Sequence, residues 1–464
     1  MPTDRPNILI LMTDQQRADH LGCAGHPVLQ TPNMDRLASE GVRFSQAFTT
    51  SPLCMPARAS FISGLYTHSH HMWGNAGSLS ADEESLFRRL QEAEYRTAHI
   101  GKSHYYPHGN RYLKTQESYM HARGFHDVHE TTGPVATVTT DSYLTDYWAT
   151  LGLVDVFRDD YGKRAATGNT AVWPSPLPED AFPDSYVGRA ACEYLRDYDD
   201  ARPFCLFVGF GGPHPPWDAP GRYARMYDPA EMPAAIPAAP PGDWLPKDAA
   251  EELARLWREQ AFSADVLAAL RANYCGKISL IDDWFGRILS VLEGRGWLDN
   301  TLIVFWSDHG EMAGDHQRLD KSVFYESSLR IPLILRWPGR VPPRTISKAL
   351  ACTVDIMPTI LQAAHVEIGE VCQGESLWPV IEAPGSEWRD SVLSEVNGCF
   401  GDIMLRTRDW KYVMGRSGES WMLYHLGNDP DEQKNLASHP SYRDVELAMR
   451  DGVLRFLART QSMQ

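Results

Sequence analysis

At 464 residues, with 43% hydrophobic and 22% charged side chains, the chain has enough apolar material for one large domain with a smaller one beside it. Lys and Arg number 44 against 60 Asp and Glu, a formal charge of −16, which disfavours nucleic acid, anionic membranes and long sulfated polyanions as partners. The eight cysteines include no Cys-x-x-Cys pair, which argues against a zinc ribbon or dithiol redox site and leaves reduced thiols as the expectation.

No apolar run reaches the length of a membrane span. Met1 to Pro6 leads almost directly into a strand without a signal-peptide pattern, so a cytoplasmic location is expected. Asn7 to Met12 reads as a buried strand. Thr31 to Gly41 reads as a helix, with Thr31 as N-cap, Pro32 at its first position and Gly41 closing it. Further strands are expected at Thr97 to Ile100, Phe204 to Gly209 and Thr301 to Trp306, and helices at Asp184 to Asp197 and Ala268 to Leu292. This alternation predicts an α/β fold with a large, mostly parallel sheet flanked by helices. Residues 131–185 and 211–247 lack periodicity and are expected to be loops that cover a site or select a substrate. Beyond about residue 385 the texture changes. Short strands at Ser391 to Val396, Asp402 to Arg406, Lys411 to Met414 and Trp421 to Tyr424, then a helix from Tyr442 to Ala458, suggest a small antiparallel sheet with one helix. The division expected is 1–385 and 386–464.

The segment Ser51 to Gly64 contains Cys54-Met55-Pro56-Ala57-Arg58, a Cys-x-Pro-x-Arg core. Pro56 fits the first turn of a helix and Gly64 its exit, which puts Cys54 at the helix N-terminus. Unpaired N–H groups and the positive dipole end favour an anionic nucleophile and substrate there. Four expected strands also end in polar, chemistry-bearing residues, at Asp14-Gln15, Lys102-Ser103-His104, Pro213-His214 and Ser307-Asp308-His309. Ligands in open α/β sheets bind at such carboxyl ends. Asp14, Gln15, Asp308 and His309, with Cys54 beside them, make a shell for a hard divalent cation. Lys102 and His104 share one short loop and can address one anion, and Arg58 adds a further cation. His214, between prolines after a Gly pair, is placed as a general acid. The cluster His68, His70 and His71 matches no ligand spacing and is read as polar loop surface or substrate rim. Gly209, Gly211 and Gly212 are not followed at once by a helix pattern and make no dinucleotide fingerprint.

The Cys54 segment resembles the signature by which sulfatases, within the alkaline-phosphatase-like superfamily, mark a cysteine for oxidation to formylglycine. Leu423 to Ala437 is similar to their C-terminal strand and turn, so the resemblance covers nearly the whole chain. It implies hydrolysis of the sulfate monoester of a small organic molecule or sugar. A formylglycine-generating maturation enzyme would convert Cys54, and Ca²⁺ would be the metal, with Mg²⁺ or Mn²⁺ as alternatives. In that scheme the hydrated aldehyde attacks sulfur, Lys102 and Lys321 clamp the sulfate oxygens, and Arg58 supports the nucleophile. His214 protonates the leaving alkoxide, and His104 takes the proton that collapses the intermediate. Asn75 would touch substrate. The alternative is a phosphonate monoester or phosphodiester hydrolase of the same superfamily, whose opening pair resembles Asp14-Gln15 but which replaces the Lys-x-His pair with neutral residues. Choline-sulfatase-like enzymes resemble Ser51 to Ser60 in particular. A non-catalytic anion-binding scaffold is the competing class, and a homo-oligomer is left open.

Overall fold

The run Ile8-Leu9-Ile10-Leu11-Met12 is apolar at every position because both faces of its strand are covered. In a computed structural model describing residues 5–80, 83–109, 111–239, 262–396, 403–415 and 418–460, this run lies inside an eight-stranded sheet. The strands are β1 (Asn7–Asp14), β2 (Val42–Phe48), β3 (Arg96–Lys102), β4 (Asp127–Thr131), β5 (Phe204–Pro213), β6 (Thr301–Ser307), β7 (Leu333–Arg336) and β8 (Thr345–Cys352). Their order is β4-β3-β5-β1-β6-β7-β2-β8, and only β7 runs against its neighbours. The mostly parallel sheet is therefore as expected.

The period of two along β1 divides the core. Ile8, Ile10 and Met12 join one hydrophobic cluster with Met55, Phe61, Phe87 and Trp306. Leu9 and Leu11 join another with Met34, Val187, Leu270 and Phe305. Seven helices matter for the site and its surroundings: α1 (Pro32–Ser39), α2 (Cys54–Ser63), α3 (Tyr143–Leu151), α4 (Val154–Thr167), α5 (Pro183–Asp197), α6 (Ala264–Gly294) and α7 (Arg443–Thr460). Every residue of α2 is buried, polar ones included. Gly64 ends it in the left-handed region at φ 71°, where an added Cβ would sit 2.7 Å from the Cys372 sulfur.

Two expectations need correction. Helix α1 stops at Ser39 with Glu40 as its C-cap, so Gly41 does not close it. Gly41 is instead required for strand approach, since a Cβ there would fall 2.1 Å from the Leu335 carbonyl oxygen. Residues 131–185 are largely helical rather than irregular. Thr145 Oγ1 accepts the Ser142 N–H at 2.8 Å at the start of α3, half of a capping box, and Gly152 ends the helix at φ 70°. In α4 only Phe157 and Arg164 are buried, which leaves almost no apolar period to read. In 211–247, β5 runs on to Pro213 and short 3-10 turns follow at Gly221–Arg225 and Pro229–Glu231; residues 240–261 lie outside the described residues.

The small antiparallel sheet has the order β12-β11-β10-β9, from β9 (Ser391–Glu395), β10 (Ile403–Thr407), β11 (Trp410–Met414) and β12 (Ser420–His425); the expected start at Asp402 lies outside the described residues. Helix α7 packs on it through Met449, Val453 and Phe456. Fully buried Lys411 ties the sheet to the main body, bonding Glu326 at 2.7 Å and Glu432 at 2.6 Å. Among the described residues no helix is long and apolar enough to cross a membrane, and the seven described cysteines are all free.

Three histidines are buried without a charge partner that offsets the loss of water. Burial pushes His70 down to about 3, and His99 and His316 to about 4. Below about pH 6.5 the unfolded chain binds protons there that the folded chain does not. Their contribution is thus present above pH 6.5 and is lost as pH falls towards 4, at about 1.4 kcal/mol per pH unit for each group. The urea midpoint is expected to drop steeply between pH 7 and pH 5. A flat midpoint over that range would contradict their neutral burial.

Candidate active site

Strands β3, β5, β1 and β6 are consecutive in the sheet, so the four polar strand ends lie side by side at its carboxyl edge. Strand β1 delivers Asp14, and the chain bends at Gln15 with φ 70°. Strand β6 leads into Asp308 and His309, and the N-terminus of α2 places Cys54 beside them. One ligand atom each from Asp14, Cys54, Asp308 and His309 lies within 4.8 Å of the others, and all four residues are buried.

Arg58, one turn into α2, organises this group. Its Nε donates to Asp308 Oδ2 at 2.9 Å and a terminal nitrogen donates to Asp14 Oδ2 at 2.9 Å. Its other terminal nitrogen donates to the carbonyls of Lys102 and Ser103 at 3.0 and 3.1 Å. Planar Arg fits such a fork where Lys does not. Lys102 Nζ also reaches Asp14 Oδ2. Burial opposes the Asp14 charge, but Lys102 and then Arg58 hold its carboxyl well below the usual range.

His309 donates from Nδ1 to the Gly310 carbonyl at 2.9 Å, which turns Nε2 towards Cys54 Sγ at 3.2 Å. Against the penalty of burial, Asp308 and Cys54 raise this imidazole to about 9. The same negative field that draws a proton to Nε2 attracts a metal cation.

On the opposite side, Lys321 Nζ bonds Gln15 Oε1 at 2.5 Å, His214 Nε2 at 2.8 Å and Asp320 Oδ1 at 3.1 Å. Burial disfavours its charge, yet Asp320 and Cys54 keep its pKa above the ordinary lysine value. His214 donates from Nδ1 to the Pro215 carbonyl at 2.7 Å, so its Nε2 accepts from Lys321. Burial, then Lys321, pushes His214 down to about 3, which leaves it neutral. Buried carboxylates and buried cations are thus interleaved beside Cys54, with Arg58 and Lys102 bonded directly to the acidic side chains.

Residues 6–366 match the sulfatase family model, a span that includes every one of these side chains. The chain belongs to the sulfatase family. Residues 314–458 also match the model described as N-sulphoglucosamine sulphohydrolase, C-terminal. This sulfatase is 31% identical over 459 residues to an arylsulfatase of Clostridium perfringens, covering 95% of this chain and 92% of the relative. It is 30% identical to a multifunctional alkaline phosphatase superfamily protein of Trinickia caryophylli, covering 94% and 92%. The crystal structure of a phosphonate monoester hydrolase of Agrobacterium radiobacter has a TM-score of 0.81 at 25% identity, covering 98% of this chain and 96% of that chain.

The other residues that the sequence of this sulfatase singled out fall into two groups. Near the site, His104 follows β3 at φ 56°, and its buried Nδ1 has no hydrogen-bond partner among the described residues. Burial, then Lys102 and His108, depresses it well below the ordinary histidine value, so it is a neutral base. Exposed Asn75 accepts from the Met55 N–H at 3.1 Å and so caps the start of α2. Away from it, His68 bonds Glu395 at 2.9 Å and Thr460 at 3.0 Å, while buried His70 bonds Ser60 at 3.0 Å; only His71 fits the polar-surface reading. His68 and His70 join α2 to the small sheet and to α7.

Two buried carboxylates escaped the sequence reading. Glu311 accepts from Gln15 Nε2 and from the Ala313 and Asp320 N–H groups, which orients the Gln15 amide. Glu130, on β4 beside β3, accepts from Ser103 Oγ and Tyr106 OH and lies 3.2 Å from His108 Nε2. Three side chains of the loop that carries Lys102 and His104 are thus gathered on one carboxylate. Glu130→Leu should lower kcat/KM by up to about a hundredfold through misplacement of that loop, and Glu130→Gln, which keeps an acceptor, should lower it less. Wild-type kinetics in both variants would remove Glu130 from this role.

A second group of metal-type side chains, His20, His26 and Cys275, is less well prepared for a cation than the first. His26 Nδ1 accepts the Leu29 N–H at 2.9 Å, so its Nε2 carries the proton, and burial pushes the Cys275 thiol up to about 12.

Proposed function

We propose that this sulfatase hydrolyses the sulfate monoester of a small organic molecule or sugar, with Cys54 in its formylglycine form and a hard divalent cation bound. Ca²⁺ is the first candidate, with Mg²⁺ or Mn²⁺ as alternatives. The observation that carries the reading is the placement of Lys102, Lys321 and His214 around Cys54 at the start of a buried helix. The donor set fits a hard cation, since two buried carboxylates and a neutral-capable imidazole converge, with the Gln15 amide oxygen at the edge. When bound, the cation would polarise a sulfate oxygen, and the hydrated aldehyde would serve as the nucleophile.

The chain's own groups then divide the work. Arg58 bonds both carboxylates and holds them side by side where the metal would bind. Lys102 and Lys321 hold the non-bridging oxygens of the ester, in place of water, where charge accumulates. An ester anion between Lys321 and His214 separates that pair and adds negative charge beside the imidazole, which favours a proton on Nε2 for the leaving oxygen. His104, neutral and with an open Nδ1, accepts a proton as the covalent ester is released.

The phosphonate reading stays in view because Gln15 occupies the second position of the opening pair and because of the 0.81 TM-score likeness. Retention of Lys102 and His104 favours sulfate. The test is a rate comparison of 4-nitrophenyl sulfate with 4-nitrophenyl phenylphosphonate, using enzyme matured with its formylglycine-generating partner. A clear sulfate preference is expected; a phosphonate preference would replace the proposal with its alternative.

A further inference from the structure

A cavity of about 320 Å³ opens against His214, the group placed to face the leaving oxygen. Helix α4, the segment that lacked any readable apolar period, supplies Tyr161 and Ala165 to it. Pro215, Leu319 and Val135 add carbon surface, and Asn169 adds an exposed amide. Charge is sparse and one-sided. Asp320 lines the cavity with its carboxylate about half exposed, at 51%.

Arg164 also lines it but is committed elsewhere. Its Nε bonds Asp160 at 2.6 Å, and its terminal nitrogens bond the Trp217, Trp173 and Pro174 carbonyls. Among the described residues, the cavity therefore presents apolar carbon, the Tyr161 phenol, the Asn169 amide, the His214 imidazole and the Asp320 carboxylate, with no uncommitted cation. Asp320 already engages Lys321 at 3.1 Å, so a second anionic group on the leaving alcohol would meet a carboxylate and, among the described lining residues, no uncommitted cation.

We propose that this cavity receives the leaving alcohol and selects a compact, uncharged, largely apolar one, such as a substituted phenol, over an alcohol bearing a second negative charge. The proposal rests on the sulfate-ester reading above. It makes Tyr161, Ala165 and Asn169 specificity residues without placing them among the reacting groups.

The test uses the matured, Ca²⁺-loaded enzyme and two esters of matched size, 4-carbamoylphenyl sulfate and 4-carboxyphenyl sulfate. The neutral ester is expected to have a kcat/KM about tenfold or more higher. Ala165→Trp, on an exposed helix surface, should fill the cavity. It should lower kcat/KM for the neutral ester by about tenfold and weaken binding of 4-hydroxybenzamide, while inhibition by inorganic sulfate stays unchanged. Asn169→Arg should narrow the gap between the two esters by supplying the missing cation. Equal rates for the two esters, or an Ala165→Trp enzyme that binds 4-hydroxybenzamide as the wild type does, would overturn the assignment. If no sulfate ester turns over yet 4-hydroxybenzamide binds and Ala165→Trp abolishes that binding, the proposed function falls and the cavity assignment stands.

Discussion

Cys54→Ser should lose turnover of 4-nitrophenyl sulfate by on the order of a thousandfold or more, with little change in stability. The activity loss follows from the chemistry of the nucleophile. A serine or an unmodified cysteine forms a covalent ester and stops there, whereas an aldehyde hydrate retains a second oxygen with which to expel the sulfate. The stability expectation follows from the geometry. His309 Nε2, 3.2 Å from the sulfur, offers a hydroxyl the same partner, and the two side chains are close in size. The change should stay within about 1 kcal/mol. Intact-mass measurement must accompany the assay, because a host that also oxidises serine would restore activity. Full turnover by an unmodified serine enzyme would sink the formylglycine mechanism.

Arg58→Met should do the reverse and strike stability first. Asp14 and Asp308 are both fully buried, and Arg58 bonds each of them at 2.9 Å. Its removal leaves two carboxylates without that counter-charge, a change that costs about 3–5 kcal/mol when one partner of a buried pair is deleted. Urea midpoints in the presence of a chelator would show the full loss. Added Ca²⁺ should return part of it, since a cation that binds only the folded state stabilises by mass action. Arg58→Lys should recover some charge but not the fork that spans both carboxylates and two carbonyls. An Arg58→Met protein as stable as the wild type in chelator would mean that this pair of carboxylates does not depend on the guanidinium.

The two variants also mark what sequence alone revealed. The strands β1, β5 and β6 were readable because a parallel strand covered on both faces must be apolar throughout, and their polar termini then stood out against those runs. β2 was missed because Arg43, Ser45 and Gln46 interrupt its apolar residues, and β7 because four residues carry too little pattern. Helix α4 was missed because it buries only Phe157 and Arg164. The candidate residues at the strand ends proved to be neighbours, as did Lys321, whose place rested on resemblance alone. Glu130 and Glu311 were invisible for a different reason. A buried carboxylate looks like any surface carboxylate in sequence, and its partners Ser103, Tyr106 and His108 meet Glu130 only through the pairing of β3 with β4.

The complete enclosure of α2 has a consequence for how this enzyme comes to be active. With Cys54 only 2% exposed and the whole helix packed under the sheet edge, the finished fold offers a modifying enzyme no extended segment to grip. On the proposed formylglycine reading, oxidation of Cys54 and closure of the core compete in time, and whichever finishes first decides the fate of each molecule. A chain that folded early would stay a thiol, correctly shaped yet inert, beyond the reach of any later supply of the oxidising partner. The active fraction of a preparation would then be a record of synthesis rate against maturation capacity, written before the protein meets its first substrate.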